Sequence, residues 1–277
     1  MQGFSYKDNS FDLSDCEQYN LSIQANLDGF CILINAKENQ QVLFTEYIPF
    51  RLSSIHGILR KSDEILQTLL SGNKKFNQIN IITDSDQARL VPANLVSERH
   101  IKQLFPVKTR ELRGKGFTSS PISAHYHLAY AFSNEMADFF RDHFNDAKIE
   151  HCMTPILHDQ MRSPGDGEPN IRVHFSQNYF FVSVAREKEL LFMNSFPYTT
   201  AEDILYYLTS VRKLQKTGHC SMVLSGHIDP ADPGFFLINK YYQGTRLFVV
   251  PDSGKTGGNF KNLPVYRIAP LLLLSSL

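Results

Sequence analysis

The chain contains no tryptophan, no excess of either charge, no apolar run long enough to cross a bilayer, and only 4 cysteines in 277 residues. Lys plus Arg total 28, as do Asp plus Glu, so no global field attracts a phosphate backbone or an anionic bilayer, and nucleic acid is not an expected partner. The leucine run at 271–274 is far too short for hydrocarbon, and the opening MQGFSYKDNSFDLSD lacks the basic-then-apolar order of a signal peptide. Membrane insertion is therefore not expected, and the expected location is the cytoplasm. Cys16, Cys31, Cys152 and Cys220 show no Cys-x-x-Cys spacing, and three of them sit in apolar strand-like runs. They read as small buried hydrophobes of a reducing compartment rather than a disulfide or zinc frame.

What is present is an ordinary globular composition, 42% apolar and 20% charged with 21 phenylalanines, in a chain long enough for two lobes. Residues 21–34, LSIQANLDGFCILI, alternate apolar and polar side chains, turn at Asn26–Gly29 and alternate again, which predicts a hairpin. A third strand is predicted over 42–50. It is followed by a helix carrying Ile55, Ile58, Leu59, Ile65, Leu66 and Leu69 on one face, capped by Ser53 or Ser54 and ended by Gly72. INIIT at 79–83 reads as a buried strand, 94–105 as a helix stopped before Pro106, and 107–121 as an exposed basic loop. Residues 124–132 return to strand character, Ser133 opens a helix, and KIEHCM and TPILHDQM follow as a strand and a short helix. RSPGDGEP, 162–169, breaks all periodicity and marks the expected junction between an N-terminal lobe, 1–163, and a C-terminal lobe, 164–277.

Beyond that junction the first pattern restarts. Leu21, Ile23, Ala25, Phe30, Ile32 and Ile34 correspond at an offset of 150 to Ile171, Val173, Phe175, Phe180, Val182 and Val184. After a loop shorter by two, Phe44, Ile48, Pro49 and Phe50 correspond to Phe192, Phe196, Pro197 and Tyr198. A second helix, with Thr199 and Glu202 placed for a capping box, and a second buried run, CSMVLSG, complete the repeat.

Three meandering strands followed by alternating helices and strands is the order of the ribonuclease H-like fold, and two copies describe the actin-like ATPases. NLSIQANLDGFCILI and VLSGHID in particular make the chain resemble an uncharacterised Bacteroidetes family of unknown function, whose halves are each similar to one actin-like lobe. AKIEHCMTPIL resembles the strand-and-helix bridge of pilus-assembly and cell-division actin-like proteins. The resemblance implies an α/β protein of two ribonuclease H-like lobes in an actin-like arrangement, each a mixed sheet flanked by helices.

In active actin-like ATPases the first hairpin of each lobe turns through Asp-x-Gly, where glycine amides face phosphates and the carboxylate holds magnesium water; a third glycine-rich turn cradles the adenosine. This chain has Gln24 near the expected aspartate and Asn26 where a glycine is useful, with His174 and Ser176 at the equivalent places of the second hairpin. LSGH, 224–227, keeps Gly226 but has His227 for the second glycine. Without the acidic ligand and the bare backbone, phosphoryl transfer loses its positioning and charge neutralisation. No catalytic residue, metal or cofactor is expected, and nucleotide is not the expected ligand. The expectation is a non-catalytic binding or scaffolding protein with an unidentified protein partner. Its ligand site would be a cleft formed by Gln24, Asn26, Asp28, Gly29, Asp84, His174, Ser176, Gly226, His227 and Asp229. The alternative is a divergent ATPase or kinase using Asp28, Asp84 or Asp229.

Other constellations carry less. SGKTGG at 253–258 lacks the first P-loop glycine, since Val249 stands there, and SGNK at 71–74 has only the spacing of an acyl-enzyme serine and lysine. His125 and His127 could share a strand face without a third metal ligand in register, and Lys108, Arg110, Arg113 and Lys115 read as a solvated basic loop.

Overall fold

A computed structural model describes residues 2–70, 75–97, 101–105, 113–163, 167–217, 220–250, 260 and 262–274. The first sheet has six strands. They are β1 (Phe4–Lys7), β2 (Tyr19–Asn26), β3 (Gly29–Ala36), β4 (Val42–Pro49), β5 (Gln78–Thr83) and β9 (Lys148–His151), in the order β1-β4-β3-β2-β5-β9. The second is built from β10 (Pro169–Phe175), β11 (Tyr179–Arg186), β12 (Glu189–Pro197), β13 (Ser221–Gly226) and β14 (Thr245–Leu247), in the order β12-β11-β10-β13-β14. A small third sheet, β6-β8-β7, comprises β6 (Ala88–Pro92), β7 (Lys115–Pro121) and β8 (Tyr126–Ser133). The helices are α1 (Ile55–Leu69), α2 (Asn134–His143), α3 (Met153–Arg162), α4 (Ala201–Leu214), α5 (Pro233–Tyr241) and α6 (Ala269–Leu274).

The two large sheets share one topology, register by register. Leu21 lies opposite Ile34 and Ile23 opposite Ile32 in the first hairpin; Ile171 lies opposite Val184 and Val173 opposite Val182 in the second. The third strands continue the match, with Ile34 beside Phe44 and Val184 beside Phe192. Each hairpin also takes a parallel neighbour, β5 beside β2 and β13 beside β10. Both turns are tied down alike, because the Phe50 amide donates to the Asp28 carbonyl at 3.0 Å and the Tyr198 amide to the Asn178 carbonyl at 3.0 Å.

The apolar faces of the alternating strands meet α3 and α6, which pack on each other and contribute Met153, Ile156, Leu157, Leu271 and Leu272 to a core that also takes in Leu33, Phe181 and Val182. A separate core under the first sheet joins Leu21, Ile23 and Phe30 to Ile58, Ile65 and Leu66 of α1 and to Phe140 of α2. Ser54 caps α1 by accepting from the Gly57 amide, and Ser133 caps α2 by accepting from the Met136 amide.

Several sequence expectations are corrected. Within 94–105 the described residues form two short 3-10 turns, Ala93–Leu95 and Ile101–Leu104, not a helix. Their apolar side chains are spent on a local core in which Ile101 and Phe105 cover Val91 and Ala129 of the small sheet. The expected loop contains strand β7, paired with β8, where Gly116 lies so close to the Phe132 ring that a Cβ would approach it to 2.3 Å. The strand expected over 124–132 is β8 of that small sheet. The capping box of α4 uses Thr200 and Asp203, one residue later than expected, because the Asp203 carboxylate collects both the Thr199 and Thr200 amides at 2.9 Å. Gly72, SGNK, SGKTGG, Lys108 and Arg110 lie outside the described residues.

Candidate functional site

Each parallel strand, β5 and β13, ends beside the first hairpin of its own sheet, and the residue that follows it points across to the hairpin of the other. Asp84, one residue beyond β5, accepts hydrogen bonds from Ser176 Oγ and Tyr179 Oη at the turn between β10 and β11, each 2.6 Å long. His227, one residue beyond β13, reaches the turn between β2 and β3, with 2.5 Å between its Nδ1 and Asp28 Oδ2. Asp84 and His227 hold equivalent places, since Gln24 pairs with Ile82 on one side and His174 with Ser225 on the other. The contacts form a reciprocal clasp between the two sheets.

Between the two halves of this clasp lies a chamber of about 30 Å3, lined by Gln24, Asn26, Asp28, Gly29, Asp84, His174, Gly226 and His227 among others. That is room for a few water molecules. The structure thus brings most of the sequence-predicted site residues together at one point. Ser176 stands beside the chamber through its bond to Asp84. Asp229 does not line the chamber; it pairs at 2.6 Å with Arg267, whose guanidinium does. A wider groove of about 400 Å3 adjoins the clasp and shares Asn26, Asp28 and Asp84 with the chamber, with Leu27, Ile55, Ile58, Phe132 and Met136 as apolar lining and Asp86 and Lys115 among its charged residues.

The electrostatics follow from burial. Desolvation pushes the Asp84 carboxyl up to about 6, although the Ser176 and Tyr179 hydroxyls that donate to it work in the opposite sense. Desolvation pushes His174 down to about 3 and His151 down to about 4. His151 fits the neutral form: its Nδ1 accepts from the Met153 amide at 3.1 Å, and its Nε2 faces the Ser85 carbonyl at 2.9 Å. The Cys152 thiol lies 3.7 Å from Asp84 and is raised well above its usual range by burial and by that carboxylate, so it is not an activated nucleophile.

Gly226 holds the third turn in the left-handed region, at φ +86. A Cβ there would meet the Phe175 carbonyl oxygen at 2.2 Å, so the glycine is required by backbone approach to β10. In addition, the His227 amide donates to that same carbonyl at 2.7 Å.

Tyr179 and Arg267 were missed by sequence reasoning. Tyr179 is the offset-150 counterpart of Gly29, and the repeat carried that signal. Arg267 lies in a 3-10 turn, Val265–Ile268, with no counterpart in the repeat to point to it. His127 is in β8, 3.4 Å from Ser119, whereas His125 precedes the strand.

Among solved structures, this chain is similar to a Bacteroides thetaiotaomicron VPI-5482 protein with an actin-like ATPase fold and unknown function. The TM-score is 0.77 at 16% identity, over 95% of this chain and 99% of that one. It is also similar to a chain of the PilM–PilN type IV pilus biogenesis complex, with a TM-score of 0.58 at 8% identity over 93% of this chain and 98% of that one. These likenesses establish the two-lobed actin-like ATPase fold. No curated protein sequence matches the chain. The DUF3822 family model, described as a protein of unknown function, matches residues 8–244, and the chain belongs to that family.

Proposed function

We propose that this protein is a degenerate, non-catalytic member of the actin-like fold that works by binding a protein partner in the cytoplasm. On this reading the two lobes, divided near residues 163 and 164, descend from an internal duplication, and the chain has kept the architecture while giving up phosphate chemistry. The observation that carries the proposal is the clasp. Where an actin-like ATPase needs open glycine-lined turns for phosphates and magnesium, the two hairpins here are bonded to opposite lobes around a space of about 30 Å3. Phosphoryl groups and a hydrated cation would have to break these bonds to enter between the two turns.

The carboxylates that a divergent ATPase or kinase would recruit are engaged already. Asp28 is held by His227, Asp84 by Ser176 and Tyr179, and Asp229 by Arg267. The groove beside the clasp, with its apolar lining and its charges of both signs, suits a segment of a partner protein, and the likeness to a chain from a pilus biogenesis complex supports a protein as the ligand class. Calorimetric titration of the purified chain with ATP and magnesium tests the proposal. It should give no saturable heat, whereas micromolar binding would return the protein to the nucleotide-dependent class.

A further inference from the structure

We infer that the reciprocal contacts of Asp84 with Ser176 and Tyr179, and of His227 with Asp28, form a latch that holds the two lobes closed without a nucleotide. The argument is geometric. Each contact joins the end of a parallel strand in one sheet to a hairpin turn in the other, and the two run in opposite directions across the same seam.

Bonds inside one lobe stabilise that lobe alone. Contacts that cross the seam from opposite sides restrain a single motion, the separation of the lobes, and each is strained when the other opens. The partners are fixed from behind. Gly226 brings the backbone before His227 against β10, and the Cys152 amide donates to the Thr83 carbonyl at 2.9 Å, anchoring the backbone before Asp84 to the start of α3. Both turns are held as well, through the Phe50 and Leu52 amides on the first and the Ser176 and Tyr198 amides on the second. The latch residues are therefore mounted on rigid backbone at all four corners. The latch rests on these contacts alone and stands whether or not a nucleotide binds.

Native-state hydrogen exchange on the full chain tests it. The reporters are the Phe50 and Leu52 amides at the first turn and the Ser176 and Tyr198 amides at the second. His227→Ala removes a bond to the first turn, and Tyr179→Phe removes a single oxygen from the second. A latch makes each variant loosen both turns by a similar factor, roughly tenfold for a hydrogen bond to a charged group. Faster exchange confined to the turn that lost its own bond, or unchanged exchange at both, would overturn the inference. Amides in the middle of β3 and β11 serve as the reference. Should His227→Ala quicken those too, Tyr179→Phe, which leaves the packing intact, decides the question by the same comparison.

Discussion

Lowering the pH from 7 to 5 should weaken this protein through two buried histidines. His174 and His151 are held by burial at about 3 and about 4 in the folded chain, against 6.5 for the free side chain. At pH 5 the unfolded chain protonates both and the folded chain neither, so the unfolded state binds more protons and stability falls as the pH drops below 6.5. Over this interval each histidine removes about 2 kcal/mol. Asp84 acts in the opposite sense. Its folded carboxyl sits at about 6 against an ordinary 3.8, so the folded chain takes up this proton first and recovers about 1 kcal/mol. Burial shifts His158 downward as well, which adds to the loss, while it shifts Glu150 and Glu46 upward, which offsets part of it. The net expectation is about 2 to 3 kcal/mol of stability lost between pH 7 and 5. Urea denaturation followed by circular dichroism at the two pH values measures it. His174→Gln, which keeps a polar group near Ser225 but cannot take up a proton, should abolish about 2 kcal/mol of the difference. If that variant loses as much stability as the unaltered chain over the same interval, the reasoning from a buried neutral His174 is refuted.

Two other substitutions probe the local geometry. Gly226→Ala forces a side chain into the left-handed region and against the Phe175 carbonyl, and should cost about 3 kcal/mol or more in the denaturation midpoint; a loss under about 1 kcal/mol would show that the turn can relax. Thr200→Ala should lower stability by about 1 kcal/mol by removing the cap of α4, while Thr199→Ala should leave it nearly unchanged because Thr199 contributes only its backbone amide; the reverse ranking would restore the capping register read from the sequence.

The parts of the fold that the sequence announced are those where local period and long-range pairing agree. Leu21, Ile23 and Ala25 alternate, their cross-strand mates Ile34, Ile32 and Phe30 alternate in register, and the same register recurs 150 residues later. The small sheet was hidden because it breaks this agreement. β7 is rich in serine, threonine and glycine and has the composition of a loop; it becomes a strand because β8 offers it a partner. The expected helix over 94–105 failed for a related reason, since Ile101 and Phe105 serve as a plug for that sheet rather than as one stripe of a helix. At the candidate site, the repeat pointed to residues that the fold brings together but not to their pairing. Nothing in the order of residues says that Asp84 reaches forward to Tyr179 while His227 reaches back to Asp28. That follows only from how two similar sheets are set against each other, and it is the property that a sequence offset cannot express.

The position of α6 bears on how the molecule is made. Residues 265–273 enter the same apolar interior as Leu33 of β3 and Phe181 of β11, and the neighbouring Arg267 guanidinium reaches the Gln2 carbonyl near the opposite end of the chain. With residues 265–273 out of place the apolar interior between the two sheets would stay open to water, so its closure waits on segments far apart along the chain. Contacts so distant along the chain place closure late and slow in folding.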